Sequence, residues 1–210
     1  MMMSYYHQTS AEPFVYRTIG DQLDIVAKQF SDRECLILCE ENKRYTYTSL
    51  HAEVTRFAQV LLSLRFNVGD RLGVWLPTTS HNICVTFAAA KVGVIKVNLN
   101  PAYTGKELGE FLALTGCRGL ILQRQVKSSD DCWSQLSSIL PELYQSMPGA
   151  LRDPILTSLQ HVILVSHDDR DNELGMFCIY VYRFILHSFF ITFHSSSSAF
   201  AAPDTNNKFN

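Results

Sequence analysis

The sequence predicts an α/β fold: an open, mostly parallel sheet with helices on both faces, and a small β-hairpin beside it. Three observations carry this expectation. Between Thr18 and Val165, short apolar runs alternate with stretches of helical periodicity, and Gly or Pro marks the joints. The stretch from Gly69 to Tyr103 reads as one complete strand–helix–strand unit, whose right-handed crossover makes its two strands parallel. The order α, hairpin, α, β, α, β, α, β, α, β then extends that unit on both sides.

Each element has its own local signature. Thr18 with Asp21 caps a helix reaching about Asp32, and Leu23, Ala27 and Phe30 form its apolar stripe. Cys35–Glu40 and Tyr45–Tyr47 read as a hairpin around Glu41-Asn42-Lys43-Arg44. A second helix starts at Thr48, with Leu50, Val54, Phe57, Leu61 and Leu64 on one face, and stops before Asn67-Val68-Gly69. Leu72–Leu76 is a strand that Pro77 ends by removing a ladder donor. Thr79 or Ser80 caps the next helix, where Ile83, Phe87 and Ala90 share a face, and Gly93 closes it. Val94–Leu99 returns as a strand and stops at Asn100-Pro101; Asn98-Leu99-Asn100 are expected at the crevice where open α/β sheets bind ligands. Thr104 and Glu107 make a capping box for a helix buried through Leu108, Phe111 and Leu112. Gly109 inside it weakens the helix by roughly 1 kcal/mol against alanine, which points to a packing reason. Gly116 ends that helix, Cys117–Leu122 is a strand, Ser129–Leu140 a helix broken at Pro141, and His161–Val165 the last strand.

Composition bounds the function. Eighteen basic against twenty acidic residues leave a net charge of −2, which argues against broad attraction to nucleic acid. The cysteines at 35, 39, 84, 117, 132 and 178 include no C-x-x-C pair, and they read as buried free thiols in a reducing compartment. There is no N-x-S/T sequon, as fits an intracellular protein. Residues 1–17 read as an unstructured N-terminus without an apolar signal core or an arginine-rich transit pattern.

No catalytic constellation emerges from the residues, so no catalytic, cofactor-binding or metal residue is nominated. Thr104-Gly105-Lys106 looks like the end of a phosphate-binding P-loop, but that motif needs a glycine five positions before Gly105, where Asn100 stands. Neither G-x-G-x-x-G nor G-x-S-x-G occurs. His161 and His167 beside Asp168-Asp169 read as a solvated strand end, since they lack helical metal-ligand spacing. Asp130-Asp131 reads as a helix-start charge pair, and His51 and His81 as surface residues in first helical turns.

A family resemblance remains. Tyr45-Thr46-Tyr47-Thr48-Ser49-Leu50, then Gly69-Asp70-Arg71-Leu72-Gly73-Val74-Trp75-Leu76-Pro77, then Ala89 to Tyr103 resemble the N-terminal region of AMP-forming acyl-CoA synthetases. Glu107-Leu108, Gly116-Cys117 and Pro148-Gly149-Ala150-Leu151 are most similar to the branch called acyl-CoA synthetase family member 2. The resemblance runs from Thr18 to Val165 and defines residues 18–166 as a partial AMP-dependent synthetase/ligase domain. It implies the N-terminal subdomain of the adenylate-forming ligase fold and fatty-acid activation: a carboxylate attacks ATP to give acyl-adenylate and pyrophosphate, and coenzyme A then displaces AMP. ATP, Mg²⁺ and coenzyme A are implied for the complete enzyme and none for this fragment, because the phosphate loop of type S-G-T-T-G-x-P-K-G has no counterpart here. A mitochondrial location is implied by the resemblance alone.

Residues 167–210 do not resemble the family. Their hydrophobic stretch, 176–193, has Arg183 near its middle, which disfavours a membrane span. A tail foreign to the family is the favoured reading; membrane contact and an added strand pair stay open. Without a neighbour for His161–Val165, self-association or chaperone association is expected. Two functions follow: a fatty-acid–CoA ligase fragment, inactive alone, or a non-catalytic interaction module that pairs through an exposed sheet edge.

Overall fold

The computed structural model describes residue 8 and residues 14–123, 132–144, 146, 149, 151–166 and 179–183. Five α-helices, one short 3-10 helix (Pro141–Tyr144) and two sheets appear among them: α1 (Ile19–Gln29), β1 (Glu34–Leu38), β2 (Lys43–Thr46), α2 (Tyr47–Ser63), β3 (Arg71–Trp75), α3 (Ser80–Val92), β4 (Ile95–Asn98), α4 (Gly105–Thr115), β5 (Gly119–Gln123), α5 (Cys132–Ile139), β6 (His161–Ser166) and β7 (Ile179–Arg183). β1 and β2 form the antiparallel hairpin, and the other strands form one parallel sheet in the order β4-β3-β5-β6-β7.

The alternation of side chains along each strand divides the core in two. Leu72, Val74, Ile121, Ile163 and Val165 pack with α2 and α3, joined there by Val54, Phe57, Leu61, Val85 and Ala88. Trp75, Leu120, Leu122, Val162 and Leu164 pack on the other face with Leu108, Leu112, Leu136 and Leu140. A parallel sheet covered on both faces needs apolar residues at every strand position, and β3 and β5 are buried along almost their whole length. Each leucine or isoleucine fully removed from water in this way contributes about 1.5–3 kcal/mol.

Helix starts follow the capping chemistry. Reciprocal boxes join Thr18 to Asp21 and Thr104 to Glu107. At α2 the box is Thr46 with Ser49, so the helix begins at Tyr47, one residue before the expected Thr48; a serine at the third position does the work that Glu or Gln usually does. Gly93 and Gly116 end α3 and α4 in the left-handed conformation.

Four expectations are corrected. The hairpin turn lies at 39–42 rather than 41–44, because Asn42 supplies its left-handed position (φ 49°) and Lys43 and Arg44 join β2. On α3 the buried face is Cys84, Val85, Ala88 and Ala89, with Ile83, Phe87 and Ala90 half-buried. That helix is apolar nearly all round, so its periodicity does not choose a face; packing against both α1 and α2 does. Gly109 has no tight neighbour, since a Cβ there would meet Ile139 at an ordinary 3.5 Å; the close approach is at Gly105, where a Cβ would lie 2.9 Å from the Gln135 carbonyl oxygen. Finally, β6 is not left bare: β7 pairs with it in parallel from Val162↔Ile179 to Ser166↔Arg183. A free parallel edge followed by a β-branched and aromatic segment favours this pairing. The rest of 176–193, with Cys178, His167, Asp168-Asp169 and Asp130-Asp131, lies outside the described residues. No helix among the described residues is long and apolar enough to cross a membrane.

Candidate functional site

The strand order sets where a ligand would sit. From β3 the chain crosses to β4 on one side, then returns to place β5 on the other, so the topological switch lies between β3 and β5. The lip after β3 runs Leu76-Pro77-Thr78-Thr79 into α3; the segment after β5, 124–131, lies outside the described residues. Asn98, which ends the neighbouring β4, and Asn100, just after it, are exposed at the same end of the sheet. The Trp75 indole N–H donates to the Asn100 carbonyl at 3.0 Å and joins the two strand ends.

The lip is held by a polar staple from the hairpin. α3 has a neutral cap, Thr79, and no acidic residue in its first turn, so its first N–H groups, which lack helical partners, and its positive dipole end ask for an anion. Glu41, at the hairpin turn, provides it: its carboxylate accepts from the Ser80 N–H and from the Ser80 hydroxyl, each at 2.6 Å. Lys43 Nζ donates to Glu41 at 2.7 Å and to Ser80 Oγ at 3.1 Å. Burial pushes the Glu41 carboxyl up, but the Lys43 and Ser80 bonds outweigh it and hold it down at about 2.

This arrangement excludes two chemistries. The serine and lysine resemble a nucleophilic pair, but Ser80 is fully buried and its hydroxyl is committed to Glu41, while Lys43 is engaged by the same carboxylate. A phosphate cannot take the start of α3 either, because the chain's own carboxylate is already there. Nearby Cys84 is inert: burial, with Glu53 beside it, pushes its thiol up to about 12. Glu53 is itself buried, which pushes its carboxyl up against the pull of its ion-pair partner Arg56.

A second tie lies across α3. Lys96, on β4, donates to Asn82 Oδ1 at 2.6 Å and to Thr86 Oγ1 at 2.5 Å. Asn82 in turn donates to the carbonyls of Leu76 and Pro77 at 3.1 and 3.0 Å, so the edge strand, α3 and the lip form one hydrogen-bonded unit.

The other histidine and glycine motifs have structural places. His81 is buried, not on the surface, because α3 is enclosed by α1, α2 and the sheet. His51 is half-exposed and bonds Asp24 at 2.8 Å; Lys91 pairs with the same carboxylate and ties α1 to α3. Burial pushes the Asp24 carboxyl up, and the bonds from Lys91 and His51 more than reverse it. His161 is no solvated strand end: it is buried at the opposite end of the sheet, its ring 5.3 Å from that of Phe66. Burial, with the Arg118 charge, lowers its pKa to about 4. Arg118 also pairs with Asp70 and bonds Gln160, locking the strand starts. In Thr104-Gly105-Lys106, the threonine caps, the glycine meets α5, and the lysine is exposed near Glu110. Cys84, Cys117 and Cys132 are buried free thiols, whereas Cys39 is exposed at the hairpin turn. Among the described residues no three His, Cys, Asp or Glu side chains gather to hold a metal.

The staple and the Lys96 tie have no local signature, since Glu41 and Ser80 are 39 residues apart. One indirect signal exists: a helix start without an acid of its own.

Comparison with known proteins fits this fold. The profile of the AMP-binding enzyme family matches residues 23–165. The rat protein "Medium-chain acyl-CoA ligase ACSF2, mitochondrial" is 37% identical over 163 residues, covering 78% of this chain and 26% of its own length. Its human counterpart is 34% identical over the same shares. Acyl-CoA ligase sidI of Aspergillus fumigatus is 40% identical over 174 aligned residues, covering 75% of this chain and 29% of its own. Among solved structures, a fatty acyl CoA synthetase of Mycobacterium tuberculosis superposes with a TM-score of 0.57 at 21% identity, over 75% of this chain and 28% of that one. The N-terminal domain of FACL13 from the same organism gives 0.58 at 22%, over 75% and 36%. At such identities these two structures speak for the fold, the N-terminal part of an adenylate-forming ligase. The chain spans about a quarter (26%) of the length of the ACSF2 relatives it matches. With the family profile covering residues 23–165, this chain belongs to the AMP-binding enzyme family.

Proposed function

We propose that these residues are the N-terminal scaffold of a fatty-acid–CoA ligase, and that the 210 residues alone do not carry out the reaction. The observation that supports this most is the family match over 23–165, which ends within β6, with no phosphate loop inside it. In the full reaction a fatty-acid carboxylate attacks the α-phosphate of ATP, pyrophosphate leaves, and the coenzyme A thiol then displaces AMP. Binding Mg²⁺–ATP requires convergent amides, hydroxyls and cations around the polyphosphate. The described residues do not fit it: Glu41 fills the start of α3, and Gly105 at the start of α4 packs against the Gln135 carbonyl. Their part is to form the wall and lip on which a ligand site is completed by further sequence. The ACSF2 relatives are named mitochondrial, and we assign this ligase reading to the same compartment.

Two measurements test this. The purified chain is expected to show no fatty-acid-dependent ATP–pyrophosphate exchange above a boiled control; exchange well above it would overturn the assignment of inactivity. Joining residues 18–165 to the downstream body of a related synthetase is expected to give fatty-acid-dependent AMP and acyl-CoA. A soluble, folded chimera that binds ATP yet makes no acyl-adenylate from any fatty acid would defeat the scaffold reading.

A second reading has one observation in its favour. β4 is an edge strand, and Ile95 at its start is half-exposed, which suits an interaction module that adds a partner's strand. A stoichiometric complex with a ligase-like subunit, lost on Val97→Pro, is the result that favours it.

A further inference from the structure

We propose that the outer edge of β6 is a docking edge for a parallel strand of a ligase body, and that β7, which lies outside the family match, occupies that edge and keeps this chain from joining such a body. The identity of the displaced partner rests on the ligase reading, while the occupied edge rests on the sheet itself and is tested separately.

The two sides of the parallel sheet are built differently. β4 is made as an edge: it is four residues long, carries Lys96, leaves Ile95 and Asn98 exposed, and is followed closely by Pro101. Short length, lysine and proline keep an edge from recruiting further strands. β6 has none of these. His161-Val162-Ile163-Leu164-Val165-Ser166 contains no lysine, proline, glycine or carboxylate, and His161 to Val165 are all buried. Ile163 and Val165 belong to one core and Val162 and Leu164 to the other, so both faces are covered. A continuous apolar strand covered on both faces has the character of an interior strand in a parallel sheet. Such a strand needs a neighbour on each side for its alternating N–H and C=O groups.

β5 is one neighbour, and among the described residues the family-matched part supplies no other. The match stops at 165, inside β6, and the aligned part is only 26% of the rat ACSF2 relative. β7 takes the vacant side from beyond the match, in parallel, from Val162↔Ile179 to Ser166↔Arg183. A second copy fits this edge less well. A two-fold axis that joins two β6 strands sets them antiparallel, whereas β6 is parallel to both its neighbours. β7 and a body strand therefore compete for one row of backbone groups, and β7 has the advantage of a short tether.

Two measurements test this. In the first, amide hydrogen exchange is followed in the full chain and in its Tyr180→Pro/Val181→Pro form. Successive N–H groups of a strand point to opposite sides, so the double substitution removes a ladder donor whichever residue faces β6. The β6 amides that face β7 are expected to exchange about tenfold faster in the variant, or more. Equal rates would overturn the proposal. So would a doubled mass of the variant alone by light scattering, which would give the edge to a second copy.

In the second, the downstream body of a related synthetase is fused after Asn210, so that β7 is kept, and compared with the chimera that joins the same body to residues 18–165. Fatty-acid-dependent AMP formation is expected to be about tenfold lower in the fusion that keeps β7, or less still. Tyr180→Pro/Val181→Pro in that fusion is expected to recover most of the difference. Equal turnover in the two proteins, or low turnover that the proline pair leaves unchanged, would overturn the proposal. A folded but inactive 18–165 chimera would defeat the ligase reading and the docking partner with it, while the exchange rates still decide whether β7 holds the edge.

Discussion

Helices α3 and α4 begin in the same way, with a threonine cap after a loop, yet they are completed differently. At α4 the anion comes from three residues on: Glu107 accepts from the Thr104 N–H at 2.8 Å, in the open. At α3 it comes from another element, through Glu41, onto a fully buried serine. A local cap fixes one helix end. A cap delivered across space also fixes where the hairpin lies, and it closes an anion position at the ligand end of the sheet.

The largest expected effect separates these two starts. Glu41→Ala leaves the buried Ser80 N–H and hydroxyl without their carboxylate acceptor and removes the ion pair with Lys43. The expected loss is about 2–3 kcal/mol, read from the urea midpoint. Thr104→Ala at the exposed start of α4 should lower stability by about 1 kcal/mol. Equal losses at the two sites would mean that the distant cap contributes no more than the local one.

The next effect comes from the two glycines of α4. Gly105→Ala would force a Cβ to 2.9 Å from a backbone oxygen of α5, and a loss of about 1–3 kcal/mol is expected. Gly109→Ala meets no such obstacle and should raise stability by about 1 kcal/mol through helix propensity. Thermal unfolding of both variants checks the pair; a destabilised Gly109→Ala protein would show a constraint there beyond contact with Ile139.

Acid sharpens the comparison with a smaller, graded effect. Glu41 holds its proton more weakly in the folded chain (about 2) than in the unfolded one (4.5). Its contribution is therefore complete above 4.5 and is lost as pH falls from there toward 2. His161 is also depressed, from 6.5 to about 4, because it is buried neutral; its contribution is present above 6.5 and declines as pH falls toward 4. Urea midpoints from pH 7 to 2 should decline in two stages. Glu41→Gln should flatten the lower stage and His161→Leu the upper. An unchanged acid profile in Glu41→Gln would remove the staple from the account.

What the sequence reveals follows the same division. The sheet, the crossover and the buried faces of α2 and α4 were legible because alternation and helical period are local properties, and so were the caps at Thr18 and Thr104. The face of α3 was not, since an all-apolar helix takes its orientation from what surrounds it. His81 and His161 were misread for a related reason: their burial comes from elements far away in the chain. The Glu41–Ser80 and Lys96–Asn82 contacts are products of the packed fold, with no spacing rule to announce them.

The indole of Trp75 gives the lip an optical signature. It is fully buried, and its one donor is engaged by the carbonyl that follows β4. Any event that slides the end of β4 past the end of β3 must break that bond and alter the polarity around the ring. The chain has two tryptophans, so replacing Trp133 by phenylalanine leaves a single emitter. Its emission then reports directly on the crevice, including the moment when a partner segment or ligand settles against it.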